Sequence, residues 1–596
     1  TPNELIYNNN TNATIITASA GAKRPVYING LLKIGVDNVN IVGVNCDNFA
    51  VNSISTNSNF SNMVVGTAIT TTASTLNGVF YDIHCPAFLT ITAATTLSGF
   101  YQYCTAQGNS FASSTTIAGG NISGRMNDCI ATSNSFASTT ALNVNGGNIT
   151  GTLTNCRCSS SGNFSSNNIF PSSGNGGTIS GTLINCNGGT GSNFGFSNSG
   201  TGGVLSGKFF NCIGGTTTGN FGSCFIGTGG TLSGEFYNCV GGTTGNFGST
   251  TGSNSLGGTQ GGTLSGKFMS CVSAGNSFAS VTTGSSGTAT AGTISGTMNG
   301  CISTGTFSFA SSPSIGGTIG TNATLIGCIG AGSDFATGGF AGGTINGKLT
   351  NCNSSGHAFA SSIYTSGGTI SGTLISCRAL TNVIGILSCR CFASGEINGG
   401  TISGFLTNCE SAGTAFASAF VGTGGTITSS AILKGCIAGG IDGDTGATIY
   451  TFASGGADGG LINGLLIDCH DFNSGNDAEH SFAGGNINRG TMAGTLKSCS
   501  TKKVVGLYRT TVTGKVIDCS IQSTETNIPA MYLGNGAKVV RCEVKGHSGA
   551  SYSIDGDAAI TVDIRHCDLF GKGYNSSNLS LATGSPYNTD DVNSLF

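Results

Sequence analysis

The chain has 596 residues, of which 101 are glycine and 7 proline, with no tryptophan, 8% charged residues and a net charge of −3. That charge gives no reason to propose a nucleic-acid partner, since a surface that tracks the backbone needs clustered Lys and Arg, and no apolar run reaches the ~18–20 residues of a membrane-spanning helix. The 38% of hydrophobic residues recur in one fixed phrase, which a disordered Gly/Ser-rich chain does not show.

Residues 1–45 are Asn-rich and then apolar (RPVYINGLLKIGV), and read as an N-terminal cap or docking segment. The body, 46–499, repeats a phrase best seen as GGTISGTLINC ending at Cys186. Near copies are GGNITGTLTNC at Cys156, GTGGTLSGEFYNC at Cys239, GGTLSGKFMSC at Cys271, GGTINGKLTNC at Cys352, GGTISGTLISC at Cys377 and GGTISGFLTNC at Cys409. The repeat cysteines are Cys46, Cys85, Cys104, Cys129, Cys156, Cys186, Cys212, Cys239, Cys271, Cys301, Cys328, Cys352, Cys377, Cys409, Cys436, Cys469, Cys499, Cys519, Cys542 and Cys567, spaced 19 to 33 residues apart after Cys85. A second phrase follows, NSFAS at Phe111, Phe136 and Phe278, NFGS at Phe221 and Phe247, AFAS at Phe359 and Phe416. From 500 to 570 the repeats shorten and lose glycine (VIDC, VVRC, DIRHC), and 571–596 read as a polar tail or cap.

A period of this length marks a solenoid. Each repeat predicts one coil of three short strands: Thr178-Ile179-Ser180, then, after the bend at Gly181, a strand through Leu183 to Asn185 and Cys186, and a third around the phenylalanine. One coil cannot bury its apolar side alone, but coils stacked about 4.8 Å apart can. The expected fold is all-β: a single-stranded right-handed parallel β-helix of about twenty coils with almost no helix, its Ile, Leu, Phe and Cys in inward ladders.

The GGTxSGTxxNC phrase followed by FGS or FAS resembles repeats of phage and large-virus appendage proteins. It is also similar to Gly-rich surface proteins of aquatic microbes, and the late coils look like the pectin-lyase-like β-helix superfamily. The resemblance covers roughly residues 76–570. It implies a rod-like fibre of a virion or cell surface, which attaches or assembles into filaments. The implied partners are copies of itself or a base or tail protein at the rod ends, and host surface glycans. No nucleic acid, membrane insertion, enzymatic activity or cofactor is expected. A polysaccharide-degrading enzyme with its site in the late acidic coils is the alternative. A second alternative, an ice- or matrix-binding protein, rests on outward Thr-x-Ser pairs such as Thr178/Ser180, Thr231/Ser233, Thr263/Ser265, Thr293/Ser295, Thr369/Ser371 and Thr401/Ser403.

Polysaccharide lyases and hydrolases need clustered carboxylates. Between 86 and 333 the only acids are Asp128 and Glu235, so no catalytic residue is assigned there, whereas sixteen of the 25 acids follow residue 436. The segment DCHDFNSGNDAEH places Asp468, His470, Asp471, Asp477, Glu479 and His480 together, oxygen and imidazole donors that are weak candidates for a metal site and read better as a solvated loop. Asp555, Asp557, Asp563, His566 and Asp568 read as a charged outer face, and Asp442 and Asp444 as an incomplete Ca²⁺ turn. In-register cysteines would sit within disulfide reach, but parallel side chains suit the disulfide dihedral poorly, so a buried stack of reduced thiols is expected rather than disulfides or a metal-binding thiolate wire. Cys158, Cys224, Cys389 and Cys391 fall outside that ladder.

Overall fold

In the computed structural model every regular element of the described residues is a β-strand; none is helical. The structure describes residues 4–582 except 8–12, 16–25, 35–38, 52–57, 72–73, 89–94, 109–110, 134–135, 160–162, 168–172, 191–193, 216–220, 244–246, 252–259, 276, 282–288, 380–389, 440–449, 472–480, 502–506, 524–525, 527, 548–551 and 571–572. They form two units: Thr1–Thr283 with Gly292–Gly305, and Gly284–Ala291 with Thr306–Phe596. Each is a stack of parallel strands from successive coils, the expected β-solenoid.

The first unit shows how the phrase builds a coil. Thr178–Ile179 pairs in parallel with Asn148–Ile149 before it and Val204–Leu205 after it. Alternation along the strand buries Ile179 and turns Thr178 and Ser180 outward. At the bend, a Cβ on Gly181 would lie 2.0 Å from the carbonyl oxygen of Gly151, so coils can approach here only through glycine. The next strand, Thr182–Ile184, pairs with Thr152–Thr154 and Lys208–Phe210 and buries Leu183.

Here the structure departs from the expected strand through Cys186. Asn185 adopts φ 52°, a left-handed turn. Asn, Asp and Gly tolerate this conformation best, and Asn155, Asn211, Asn238, Asp128, Gly300 and Gly327 occupy the equivalent place. The turn swings Cys186 inward, where its thiol donates to the carbonyl of Leu153 in the preceding coil (3.4 Å). The outward amides form their own ladder: Asn185 donates to Asn155, and Asn211 to Asn185, both at 3.1 Å.

The third strand is also corrected. Except at Phe164, where only Ser165 (φ 56°) is, the ladder phenylalanine and the residue after it are both left-handed, as at Phe111 (φ 52°) and Ala112 (φ 63°) or Phe194 (φ 53°) and Gly195 (φ 75°), so this side is a turn flanked by isolated bridges such as Ser197↔Cys224. The rings still stack inside. Phe136, Phe164, Phe194, Phe221 and Phe247 follow one another at 4.7 Å, with interplanar angles of 6° or less. A second ladder, Phe209, Phe236 and Phe268, meets them edge-on. Such contacts contribute about 0.5–1.5 kcal/mol each beyond the area they bury. Stacking extends into the segment expected to cap the chain: Glu4–Tyr7 pairs in parallel with Leu31–Ile34.

The second unit repeats the plan. Thr318–Ile319, Thr344–Ile345, Thr369–Ile370, Thr401–Ile402 and Thr426–Ile427 pair in register. Phe309, Phe335, Phe359, Phe392, Phe416, Phe452 and Phe482 stack at 4.7–4.9 Å. Toward the end the strands lengthen, as in Leu507–Val512 and Ile560–Arg565, and Leu579–Leu581 adds a parallel strand onto Ile560–Val562.

Candidate functional site

The two acids between residues 86 and 333 are engaged singly. Asp128 accepts from Asn155 (2.9 Å) at one end of the amide ladder, and Glu235 lies 3.7 Å from Lys208 and accepts from the Tyr237 hydroxyl (3.1 Å). The ladder lines a groove of about 270 Å³ formed by Asp128, Asn155, Arg157, Asn185 and Asn187. A second groove, of about 610 Å³, follows the glycine bends past Ser98, Phe100, Ser123 and Arg125.

The acidic segment of the late coils is divided by strand alternation. His470–Asp471 is a two-residue strand: His470 faces outward, Asp471 is fully buried. Asp468 is at the left-handed turn (φ 53°) and largely exposed. Its Oδ1 lies 3.0 Å from His470 Nε2, and His470 Nδ1 lies 2.8 Å from Ser500 Oγ on the next coil. Asp471, pointing the other way, accepts from Thr451 Oγ1 (3.2 Å) and Ser481 Oγ. The six residues of the sequence cluster are therefore not one ligand set: Asp468 and His470 lie outside and Asp471 inside, while Asp477, Glu479 and His480 lie outside the described residues, as do Asp442 and Asp444. Among the described residues no three His, Cys, Asp or Glu side chains are grouped to hold a metal ion.

A carboxylate holding an imidazole that faces a hydroxyl is the proton-transfer half of nucleophilic catalysis. The Ser500 backbone N–H is committed to the Cys469 carbonyl (3.1 Å) and is not free to bind an oxyanion. The same arrangement recurs in the first unit, where His84 lies between Asp82 (3.1 Å) and Thr105, again with the aspartate left-handed. The carboxylate–imidazole–hydroxyl arrangement thus occurs twice, once with threonine and once with serine, each time bracing one coil against the next.

The second late cluster is likewise spent on structure. Asp555 accepts from Asn575 and Asn578 (both 3.0 Å), Asp557 from the Tyr532 hydroxyl (2.7 Å), and Asp563 from Arg565 Nε (2.6 Å). His566 holds the left-handed position before Cys567, and Asp568 is exposed.

The ladder cysteines Cys104, Cys129, Cys156, Cys186, Cys212, Cys239, Cys271, Cys301, Cys328, Cys352, Cys377, Cys409, Cys436, Cys469 and Cys499 are buried thiols. Burial holds Cys129 and Cys156 well above the ordinary thiol range. Cys158, Cys224 and Cys391 are interior as well, in other columns. Cys158 pairs in register with Ala131, Cys224 takes the place of Ser197, and Cys391 precedes Phe392. Burial pushes the Cys224 thiol up to about 12. Cys389 lies outside the described residues.

Sequence reading missed a buried polar group in the second unit. Asp334 is fully buried; its Oδ2 accepts from Ser354 Oγ (3.0 Å) and the Gly332 backbone N–H (3.2 Å), and its Oδ1 is buried without a hydrogen-bond partner. Burial pushes its pKa up to about 8, so its carboxyl is mostly protonated at pH 7. Nearby, burial and the Arg390 charge lower His357 to about 4, while its Nδ1 accepts from the Arg390 backbone N–H (3.0 Å). Arg390 itself pairs with Glu396 and lies 5.3 Å over the Phe420 ring. The signal for Asp334 was present: in SDFAT it precedes Phe335, where NSFAS places an inward serine.

In comparisons with protein-family models, curated proteins and solved structures, the chain matches none.

Proposed function

We propose that this chain is a structural component of a fibre or appendage on a virion or cell surface, and that it serves attachment or filament assembly. The observation that carries this reading is the allocation of side chains. Inward columns are spent on stacked Phe, Leu, Ile and Cys, and outward columns on repeated hydroxyls and amides, as in Thr178, Thr231, Thr263 and Thr293 or Asn155, Asn185 and Asn211. A surface of this kind offers the same polar contacts coil after coil, which suits multivalent, individually weak binding to surface glycans. The brace Asp468–His470–Ser500 is the one observation favouring the enzymatic alternative in the late coils.

Two measurements separate these readings. Antibody against the purified chain should decorate projecting structures on intact particles or cells of the source in electron microscopy. The chain should also release no oligosaccharide from surface polysaccharide of that source, with or without Ser500→Ala. Label confined to the cell interior, or release abolished by Ser500→Ala, overturns the proposal.

A further inference from the structure

We infer that one corner of the second unit is an interface on which two copies of this chain pack against each other. The corner is fixed on one side by the parallel bridges Ala341↔Ser366, Ser366↔Asn398, Asn398↔Thr423, Thr423↔Asp458 and Asp458↔Asn488. On the other side it is fixed by Gly338↔Ser362, Gly395↔Ala419, Ala419↔Gly455 and Gly455↔Gly485. Between these columns six consecutive coils carry Phe340, Tyr364, Ile397, Val421, Ala457 and Ile487. The five large side chains are 39%, 57%, 47%, 56% and 77% exposed in that order. They follow one another directly: the Phe340 and Tyr364 rings lie 5.6 Å apart, and Val421 and Ile487 donate backbone bonds to the corners of the coils before them.

Single exposed apolar residues are ordinary, but a continuous row is not. At these exposures the five residues present on the order of 500 Å² of surface in all, backbone and the Tyr364 hydroxyl included, within the range of the largest patch on a soluble chain. It makes up more than half of the ~800 Å² that each partner gives to a stable interface. The fold itself does not require apolar side chains here, since the bonds that hold the corner are backbone bonds.

The occupant follows from periodicity and size. The ridge repeats once per coil, and coils in this unit stack at 4.7–4.9 Å, as their phenylalanines show. A surface that interdigitates with it over six coils must repeat at the same rise, and a second copy of the ridge does. A two-fold axis between Ile397 and Val421 sets Phe340 against Ile487, Ile397 against Val421, and the largest side chain, Tyr364, against the smallest, Ala457. Such a contact is isologous and closes on two copies. It is independent of the appendage reading.

Sedimentation velocity of the full chain over a range of concentrations tests this. The unmodified chain should pass from monomer to dimer. Val421→Glu should stay monomeric, while Val240→Glu, at an exposed valine of the first unit, should dimerise as the parent does. Ala457→Tyr should weaken dimerisation at least about tenfold, and adding Tyr364→Ala should restore it. Far-UV circular dichroism and thiol protection equal to the parent's establish that each variant is folded. A parent chain that stays monomeric overturns the inference. So does a dimer indifferent to Val421→Glu, a swap that fails to restore, or a monomer that uses the ridge to bind lipid vesicles.

Discussion

Phe278→Ala should destabilise the first unit by about 3–5 kcal/mol, whereas Thr263→Ala should change its stability by no more than about 0.5 kcal/mol. Phe278 is fully buried, stacks on Phe247 at 4.9 Å and meets Phe268 edge-on at 6.4 Å. Truncation leaves a cavity between neighbouring coils, and both ladders lose contacts. Because φ is 57° at this position, the backbone is held in the left-handed turn and cannot easily collapse to fill the gap. Thr263 faces outward, and its strand, in register with Thr231 and Thr293, is held by backbone bonds such as Thr263 N–H to the Gly230 carbonyl (3.0 Å) that alanine keeps. Solenoids need not unfold in one step, so the comparison is best made on denaturant midpoints under identical conditions. A larger loss from Thr263→Ala than from Phe278→Ala would mean that the inward and outward assignments are reversed.

Asp334→Asn should stabilise the second unit increasingly as pH rises from about 4 to about 8. The unfolded carboxyl titrates near ~3.9, and the folded one near 8, raised by burial, with Ser354 and Gly332 opposing. Between those values the folded state keeps a proton that the unfolded state has released. Stability is therefore full below the unfolded pKa and falls by up to about 1.4 kcal/mol per pH unit until the folded pKa is passed. Asparagine removes that loss, because its amide oxygen still accepts from Ser354 and Gly332 and no charge forms. His357, lowered to about 4, acts with the opposite sign between its folded and unfolded values, but it is common to both proteins and cancels in their difference. Chemical denaturation of parent and variant at a series of pH values gives that difference. A gap that does not change with pH would show that Asp334 is not a buried, protonated carboxyl.

The repeat was legible because two recurring phrases fix four inward columns between them. Ile179, Leu183, Cys186 and Phe194 are each fully buried, as their recurrence implied. The turns were harder to read. Strand propensity carried the reading through Asn185, although the Asn, Asp, Ser or Gly before most ladder cysteines is a left-handed signature. Phenylalanine, a strong strand former, masked two consecutive left-handed residues, for which the Ala or Gly after it was the only cue. The described part of the acidic segment does not converge, because nearness in sequence does not survive alternation: neighbouring His470 and Asp471 face opposite sides of one strand. The apolar ridge lies in the variable stretches between phrases, where no residue repeats, and only the stacking of coils aligns Phe340 with Tyr364 and Ile397.

The central claim is that the cysteines form interior columns of reduced thiols in an in-register solenoid. Alkylation followed by intact mass tests it directly. The folded chain should take up little label, since every described cysteine is buried, and in denaturant without reductant most of the 24 cysteines should react. Rapid labelling of ladder cysteines in the native chain would contradict the buried columns, and fewer than half reacting in denaturant would show that disulfides rather than stacked thiols join the coils.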